Sequence, residues 1–235
     1  MTKHNPIICA VDTLDIAHAS EITQTVRPHV GAIKLGLEFF TANGAAGVHE
    51  VACKDTPVFL DLKFHDIPNT VAKAIEATAG INTFMMTVHT SGGHAMLRRA
   101  IEASAEVAQT TGKDRPLIVG VTLLTSLDQD DVDMLGYRDA LHEQVKRLAD
   151  LAQSTGLDGV VCSPYEISLI RETCGSDFTL VVPGIRPAGS QSDDQKRTMT
   201  PAEALKRGAD YLVIGRPITG ADDSAKAAAS ILASL

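Results

Sequence analysis

With 235 residues, 44% of them hydrophobic and 21% charged, the chain has ample apolar surface for one sizeable core. The formal net charge of −8 argues against a nucleic-acid-binding surface, though a local basic pocket could still receive an anionic small substrate. The apolar run near the start ends at Asp12, too short for a signal peptide or membrane span, and Cys9, Cys53, Cys162 and Cys174 show neither a CxxC pair nor metal spacing. The expectation is a cytoplasmic protein with reduced thiols and no membrane partner.

Short apolar runs predict strands over residues 7–11, 32–35, 58–62, 84–88, 117–121, 159–162, 179–182 and 211–214. Several are apolar on both faces, as parallel strands covered by helices should be. Between them, helical spacing predicts helices over 70–78, 95–110, 140–154, 165–172, 201–207 and 224–234. Thr200-Pro201 followed by Glu203 is a capped helix start, and Gly208 a matching stop. Eight strands alternating with helices predict a single-domain (β/α)8 TIM barrel over residues 1–235. The rival, a doubly wound open sheet, would carry a Gly-rich turn after its first strand, where this chain has AVDTLD.

The most informative run is VFLDLKFHDIPNT, residues 58–70. Side chains alternate along a strand, so Asp61 and Lys63 share a face, while Asp66 lies beyond, in a turn closed by Pro68 and Asn69. An ammonium among carboxylates at a strand's carboxyl end suits proton transfer to carbon. A surface salt bridge of little energetic weight is the alternative.

Other polar residues fall where barrel strands end, the place where catalytic groups gather in this fold. Asp12 ends the first strand, Lys34 the second, His89 the fourth and Ser163 the sixth, and Thr125 follows the fifth. The seventh ends in Pro183-Gly184-Ile185-Arg186 and the eighth in Gly215-Arg216. Taken singly, each could be a cap or turn residue. Gly215 would let backbone N–H groups approach an anion that Arg216 binds through its guanidinium fork, with Arg186 and Gln195 closing over the same group. The polar stretch 186–198 could serve as a lid. Asp193-Asp194 reads as solvated loop rather than a metal site, and His89 and His94 lack strong zinc spacing.

DLKFHDIPNT, together with VHTSGG, VTLLTS, GVVCS, VPGIRP, DQKR ahead of MTP, and GADYLVIGRPIT, resembles the orotidine 5′-phosphate decarboxylases of the bacterial type, in order over almost the whole chain. The resemblance implies a homodimeric (β/α)8 barrel that converts orotidine 5′-phosphate to UMP and CO2 without metal or organic cofactor. It implies Lys63 as proton donor within a network of Lys34, Asp61, Lys63 and Asp66. Asp66 would reach the other subunit's site, with Ile67 and Thr70 beside it. Asp12 and Lys34 would hold ribose hydroxyls, Thr125 the pyrimidine region, and Arg186, Gln195, Gly215 and Arg216 the phosphate. Two readings compete with it: a metal-dependent sugar-phosphate enzyme of the same superfamily, and a non-catalytic phosphate-ligand binder on a barrel scaffold. The first would need an acidic metal ligand where Lys34 stands.

Overall fold

The computed structural model describes residues 5–52, 56–81, 83–187 and 198–235. Its strands are β1 (Ile7–Ala10), β2 (Ala32–Gly36), β3 (Val58–Phe64), β4 (Thr83–His89), β5 (Leu117–Val121), β6 (Gly159–Val161), β7 (Thr179–Val182) and β8 (Tyr211–Ile214). Each pairs in parallel with the next, and β8 pairs back onto β1, closing the barrel. Around it run α1 (Ile16–Val26), α2 (Leu37–Ala52), α3 (Pro68–Glu76), α4 (Gly93–Thr111), α5 (Gln129–Met134), α6 (Leu141–Thr155), α7 (Ile167–Cys174), α8 (Pro201–Arg207), α9 (Arg216–Thr219) and α10 (Ser224–Ala233). The predicted (β/α)8 TIM barrel is the observed architecture.

The period-2 alternation of side chains divides the core in two. Ile8, Ala10, Ala32, Phe59, Met85, Val119, Val181 and Val213 form a compact cluster of their own, the filling of the barrel. Their neighbours along the same strands, among them Ile7, Cys9, Ile33, Leu35, Leu60, Val88, Ile118, Val160 and Leu180, belong to the larger cluster shared with the helices. Continued toward the carboxyl ends, the inward register runs from Ala10 to Asp12, from Ala32 to Lys34, from Phe59 to Asp61 and from Met85 through Thr87 to His89. The interior therefore changes from apolar to charged over a single pleat.

At the opposite end two aspartates staple neighbouring units. The Asp158 carboxylate, just before β6, accepts from the Ile118 N–H at 2.7 Å and takes both terminal nitrogens of Arg115. Asp210, just before β8, accepts from the Leu180 N–H at 2.7 Å and from Arg171, whose guanidinium also donates to the carbonyls of Gly175, Phe178 and Gly208. These side chains satisfy strand-entry and loop groups that the parallel ladder leaves open.

Every predicted strand is present; β5, β7 and β8 have the predicted bounds and the others differ by one or two residues at an end. The helix expected over 70–78 starts instead at Pro68, so Pro68 and Asn69 open α3 rather than closing a turn. Proline suits this position, because the first helical N–H has no intrahelical partner to lose. The stretch expected as a helix over 165–172 divides into a 3-10 turn at Pro164–Glu166 and α7. Thr200 caps α8 through the Glu203 N–H, and Gly208 ends it in the left-handed conformation at φ 110°. Helices α1, α2, α5 and α9 were not among the predicted ones. Gly44, at φ 61°, breaks α2 with a kink and interrupts the periodicity that would have announced it.

Because the Asp158 staple lies at the end remote from the charged mouth, stability and activity should separate there. Asp158→Ala strands the Ile118 N–H and the Arg115 charge. Arg115 is about a third exposed, so its attraction counts for little and the lost hydrogen bonds dominate. The expected loss is about 2–3 kcal/mol, a fall in Tm of roughly 5–10 °C, with turnover at 25 °C retained. Thermal melts beside activity assays check this; an unchanged Tm would remove the staple's role.

Candidate active site

Three adjacent strands deliver the charged mouth. On β3, Lys63 Nζ donates to both oxygens of Asp61, each at 2.9 Å. On β2, Lys34 Nζ donates to Asp12 Oδ1 at 3.1 Å and lies 3.9 Å from Asp61 Oδ2. The row Lys63, Asp61, Lys34, Asp12 thus alternates in sign and sums to zero. Its middle members are the most sheltered, at 12% side-chain exposure for Lys34 and 14% for Asp61. A Cβ at Gly36, the last residue of β2, would stand 3.2 Å from Lys34 Nζ and crowd it.

Lys63 is the one non-glycine residue with positive φ, 50°, among those described. A lysine held there costs on the order of 1–3 kcal/mol and persists only where surrounding contacts fix it. The strand is irregular at the same point: Leu60 pairs with Met86 and Phe64 with Val88, so Asp61, Leu62 and Lys63 stand opposite Thr87 alone. The Lys63 N–H donates to Thr87 Oγ1 at 2.8 Å, and Thr87 Oγ1 donates to Asp61 Oδ1 at 2.9 Å.

Lys34, Asp61 and Lys63 line a cavity of about 200 Å3, together with Phe59 and Val213 from the barrel interior and Leu123, Leu124 and Thr125 from the loop after β5. Larger cavities of about 610 and 760 Å3 lie around the strand beginnings and hold none of the charged row. Chemistry, rather than size, singles out the mouth.

The other expected residues are distributed as follows. Gly215 joins β8 to α9, its carbonyl accepting from the Ile218 and Thr219 N–H groups at 2.8 and 3.0 Å, and Arg216 opens α9 exposed to solvent. Arg186, half-buried, follows β7; its N–H donates to the Met199 carbonyl, and the Met199 N–H to the Gly184 carbonyl, so both flanks of the expected lid meet at the mouth. Gln195, Asp193-Asp194 and residues 188–197 of that lid lie outside the described residues, as does Cys53. Asp66, Ile67 and Thr70 are exposed on the rim. The Asp66 carboxylate accepts from the Ile67 N–H at 2.7 Å instead of turning to Lys63.

A family model described as "Orotidine 5′-phosphate decarboxylase / HUMPS family" matches residues 5–231. The chain belongs to this family. It is 51% identical over 231 residues to the orotidine 5′-phosphate decarboxylase of Paramagnetospirillum magneticum, covering 98% of each chain. Against that of Moorella thermoacetica it is 50% identical over 236 residues, covering 100% of this chain and 94% of the relative. Among solved structures, the orotidine 5′-phosphate decarboxylase of Lactobacillus acidophilus superposes with a TM-score of 0.86 at 35% identity, over 97% of each chain. Relatives of this kind make the chain an enzyme of the carboxy-lyase class.

Within the family frame, several expected residues prove structural. Ser163 is buried and caps the turn after β6, its hydroxyl accepting from the Tyr165 N–H while its own N–H donates to Glu166. Cys9, Cys162 and Cys174 are buried free thiols; burial pushes Cys9 up to about 12 and raises the other two, which keeps them protonated and unreactive. Among the described residues no group of three His, Cys, Asp or Glu is placed to hold a metal, and no helix is long and apolar enough to cross a membrane. Thr87 was missed in the sequence, where a threonine at an inward strand position reads as a β-branched core residue.

His89 ends β4 with its ring 5.3 Å from that of His65. Burial first, then His65 and the Lys63 ammonium, hold it below its ordinary value of 6.5, against a smaller pull from Asp61. The unfolded chain therefore takes up this proton at higher pH than the folded one. Stability from this group is intact above 6.5 and declines as pH falls toward the lowered folded value. Urea unfolding at pH 7.5 and 5.5 should show a smaller loss in His89→Gln than in wild type; equal losses would assign the acid sensitivity elsewhere.

Proposed function

We propose that this enzyme converts orotidine 5′-phosphate to UMP and CO2, closing de novo UMP synthesis, with no metal or organic cofactor. The observation that carries the reading is the Lys63 ammonium, fixed by both Asp61 oxygens at the wall of the mouth cavity. Loss of CO2 breaks the bond from C6 to the carboxylate and leaves its electron pair on C6, where the ring offers no easy delocalisation. Lys63 meets that charge as it forms and passes a proton to C6; the neutral amine regains its proton from solvent. An attraction stronger in the transition state than in the ground state is what accelerates a step.

The surrounding residues take roles that fit their positions. Asp12 and Lys34, hydrogen-bonded at the ends of β1 and β2, hold ribose hydroxyls, and Thr125 faces the pyrimidine. Arg216, Gly215, Arg186 and Gln195 receive the phosphate, whose binding energy closes the loop over the cavity and excludes water. Lys34 itself disfavours the metal-dependent alternative, because an ammonium occupies the place where a cation would need a carboxylate.

The active unit in this reading is a cytoplasmic homodimer of one-domain barrels that face each other through their mouths. Ile67 is 68% exposed, and Leu14 after β1, Leu37 at the start of α2, and Met134 and Leu135 at the end of α5 in the β5–α6 connection are exposed as well. Those apolar side chains support a covered rim. Asp66, turned away from its own Lys63, is then available to the partner's cavity, with Ile67 and Thr70 beside it.

Purified protein should consume orotidine 5′-phosphate, followed by ultraviolet absorbance, equally with and without EDTA. Lys63→Ala should fold normally and lose about 10⁴-fold or more in kcat. Substantial turnover by that variant would overturn the proton-donor role, and inhibition by EDTA reversed with Mg2+ would favour the metal-dependent alternative. UMP binding without turnover would favour the non-catalytic one.

Arg216→Ala removes charge-assisted hydrogen bonds to a phosphate, each worth about 1.5–3 kcal/mol. The expected result is a 10- to 100-fold fall in kcat/KM with the fold intact. Steady-state kinetics showing wild-type kcat/KM would move the phosphate elsewhere.

A further inference from the structure

Thr87 contributes nothing to the mouth that a substrate could touch, since it has no exposed surface. Its place in the barrel filling could be taken by valine, which matches its shape and suits a strand equally well. The hydroxyl needs a separate reason, and the irregular pairing of β3 with β4 gives one. Three residues of β3 face one of β4, so a ladder hydrogen bond is missing where Lys63 turns into the left-handed region. Extra residues in a bulge are left without ladder partners. The Thr87 oxygen fills that gap by accepting the Lys63 N–H at 2.8 Å. The same oxygen spends its one proton on Asp61 Oδ1 at 2.9 Å. A directed chain results, from Lys63 N–H to Thr87 Oγ1 to Asp61 Oδ1, and it closes into a ring through Lys63 Nζ on Asp61.

We propose that Thr87 is a positioning residue for decarboxylation. Its hydroxyl holds the Lys63 backbone in its strained conformation and fixes the Asp61 carboxylate so that both oxygens face Nζ. The inference rests on the reading of Lys63 as proton donor. Two features separate this role from ordinary packing. The group that donates to Thr87 is the backbone N–H at the single non-glycine positive φ among the described residues, and the hydroxyl's own proton goes to the carboxylate that anchors the ammonium. Hydrogen bonds in such a chain polarise one another, so loss of the middle member weakens both ends.

Thr87→Val keeps shape and removes the hydroxyl; Thr87→Ser keeps the hydroxyl and removes a methyl. Mispositioning of a reacting group by about 1 Å can cost on the order of 100-fold. Thr87→Val is therefore expected to lose about 100-fold in kcat with KM nearly unchanged, and Thr87→Ser to restore most of kcat despite a lower Tm. An unchanged kcat in Thr87→Val, or a Thr87→Ser variant as impaired as Thr87→Val, overturns the proposal. If Thr87→Val does not fold, Thr87→Ser decides alone: kcat near wild type at reduced Tm supports the hydroxyl's role, and a 100-fold loss refutes it. Wild type and Lys63→Ala, assayed alongside, keep the two questions apart. Should wild type itself not decarboxylate the substrate, the functional reading fails. The Lys63 amide and Nζ resonances would then still report the geometric claim, by shifting or not shifting in Thr87→Val.

Discussion

The contact on which the site depends is the ion pair of Lys63 with Asp61. A lysine at the rim of an apolar barrel would ordinarily extend into water, where its charge is best solvated. Here it is drawn back over the mouth by a carboxylate two residues earlier on the same strand. Ordinary strand geometry places residues i and i+2 side by side, but not with the ammonium centred on both oxygens. The positive φ at Lys63 and the extra residues of β3 make that approach possible. Local backbone strain is thus exchanged for a fixed charge.

That fixed charge is tolerable because it is never alone. Partial burial of one ammonium or carboxylate costs several kcal/mol unless an opposite charge and hydrogen bonds compensate. Lys34 offsets Asp61 from the neighbouring strand, and Asp12, the most exposed of the four at 52%, lets the row end in water. Removing an inner member would leave a sheltered charge without its counterweight, while Asp12 can be spared at smaller cost. The row is neutral as a whole, so an approaching anion finds a local arrangement of charges rather than a broadly attractive field. In the proposed function, attraction at longer range would fall to the arginines after β7 and β8, the residues assigned to the phosphate.

Much of this was legible in the sequence, and the reason is the period of two. Apolar runs that end in a charged residue, AVD, AIK and FLDLK, announce both a strand and which of its ends bears chemistry. Asp12, Lys34, Asp61 and Lys63 were found in this way and lie together. What pairing and backbone conformation decide was hidden. No composition signal distinguishes Thr87 from a β-branched core residue until the register of β4 against β3 is known. No propensity anticipates a left-handed lysine. The glycine within α2 concealed a helix, and the proline that suggested a turn after Asp66 starts α3.

Asp66 shows where one chain ceases to explain itself. Its spacing from Lys63 invites a shared cluster, yet α3 begins at Pro68, and the tight passage from Phe64 into that helix carries Asp66 and Ile67 outward along the rim. Among the described residues the Asp66 carboxylate then has only the adjacent Ile67 N–H as a hydrogen-bond partner. Ile67 spreads an aliphatic side chain over solvent, an arrangement that a lone barrel has no reason to retain. In the proposed homodimer, a second barrel set mouth to mouth would cover Ile67 and bring Asp66 beside the partner's charged row. In the homodimer proposed above, the exposed Ile67 and the outward Asp66 would have one cause, as parts of the same covered rim.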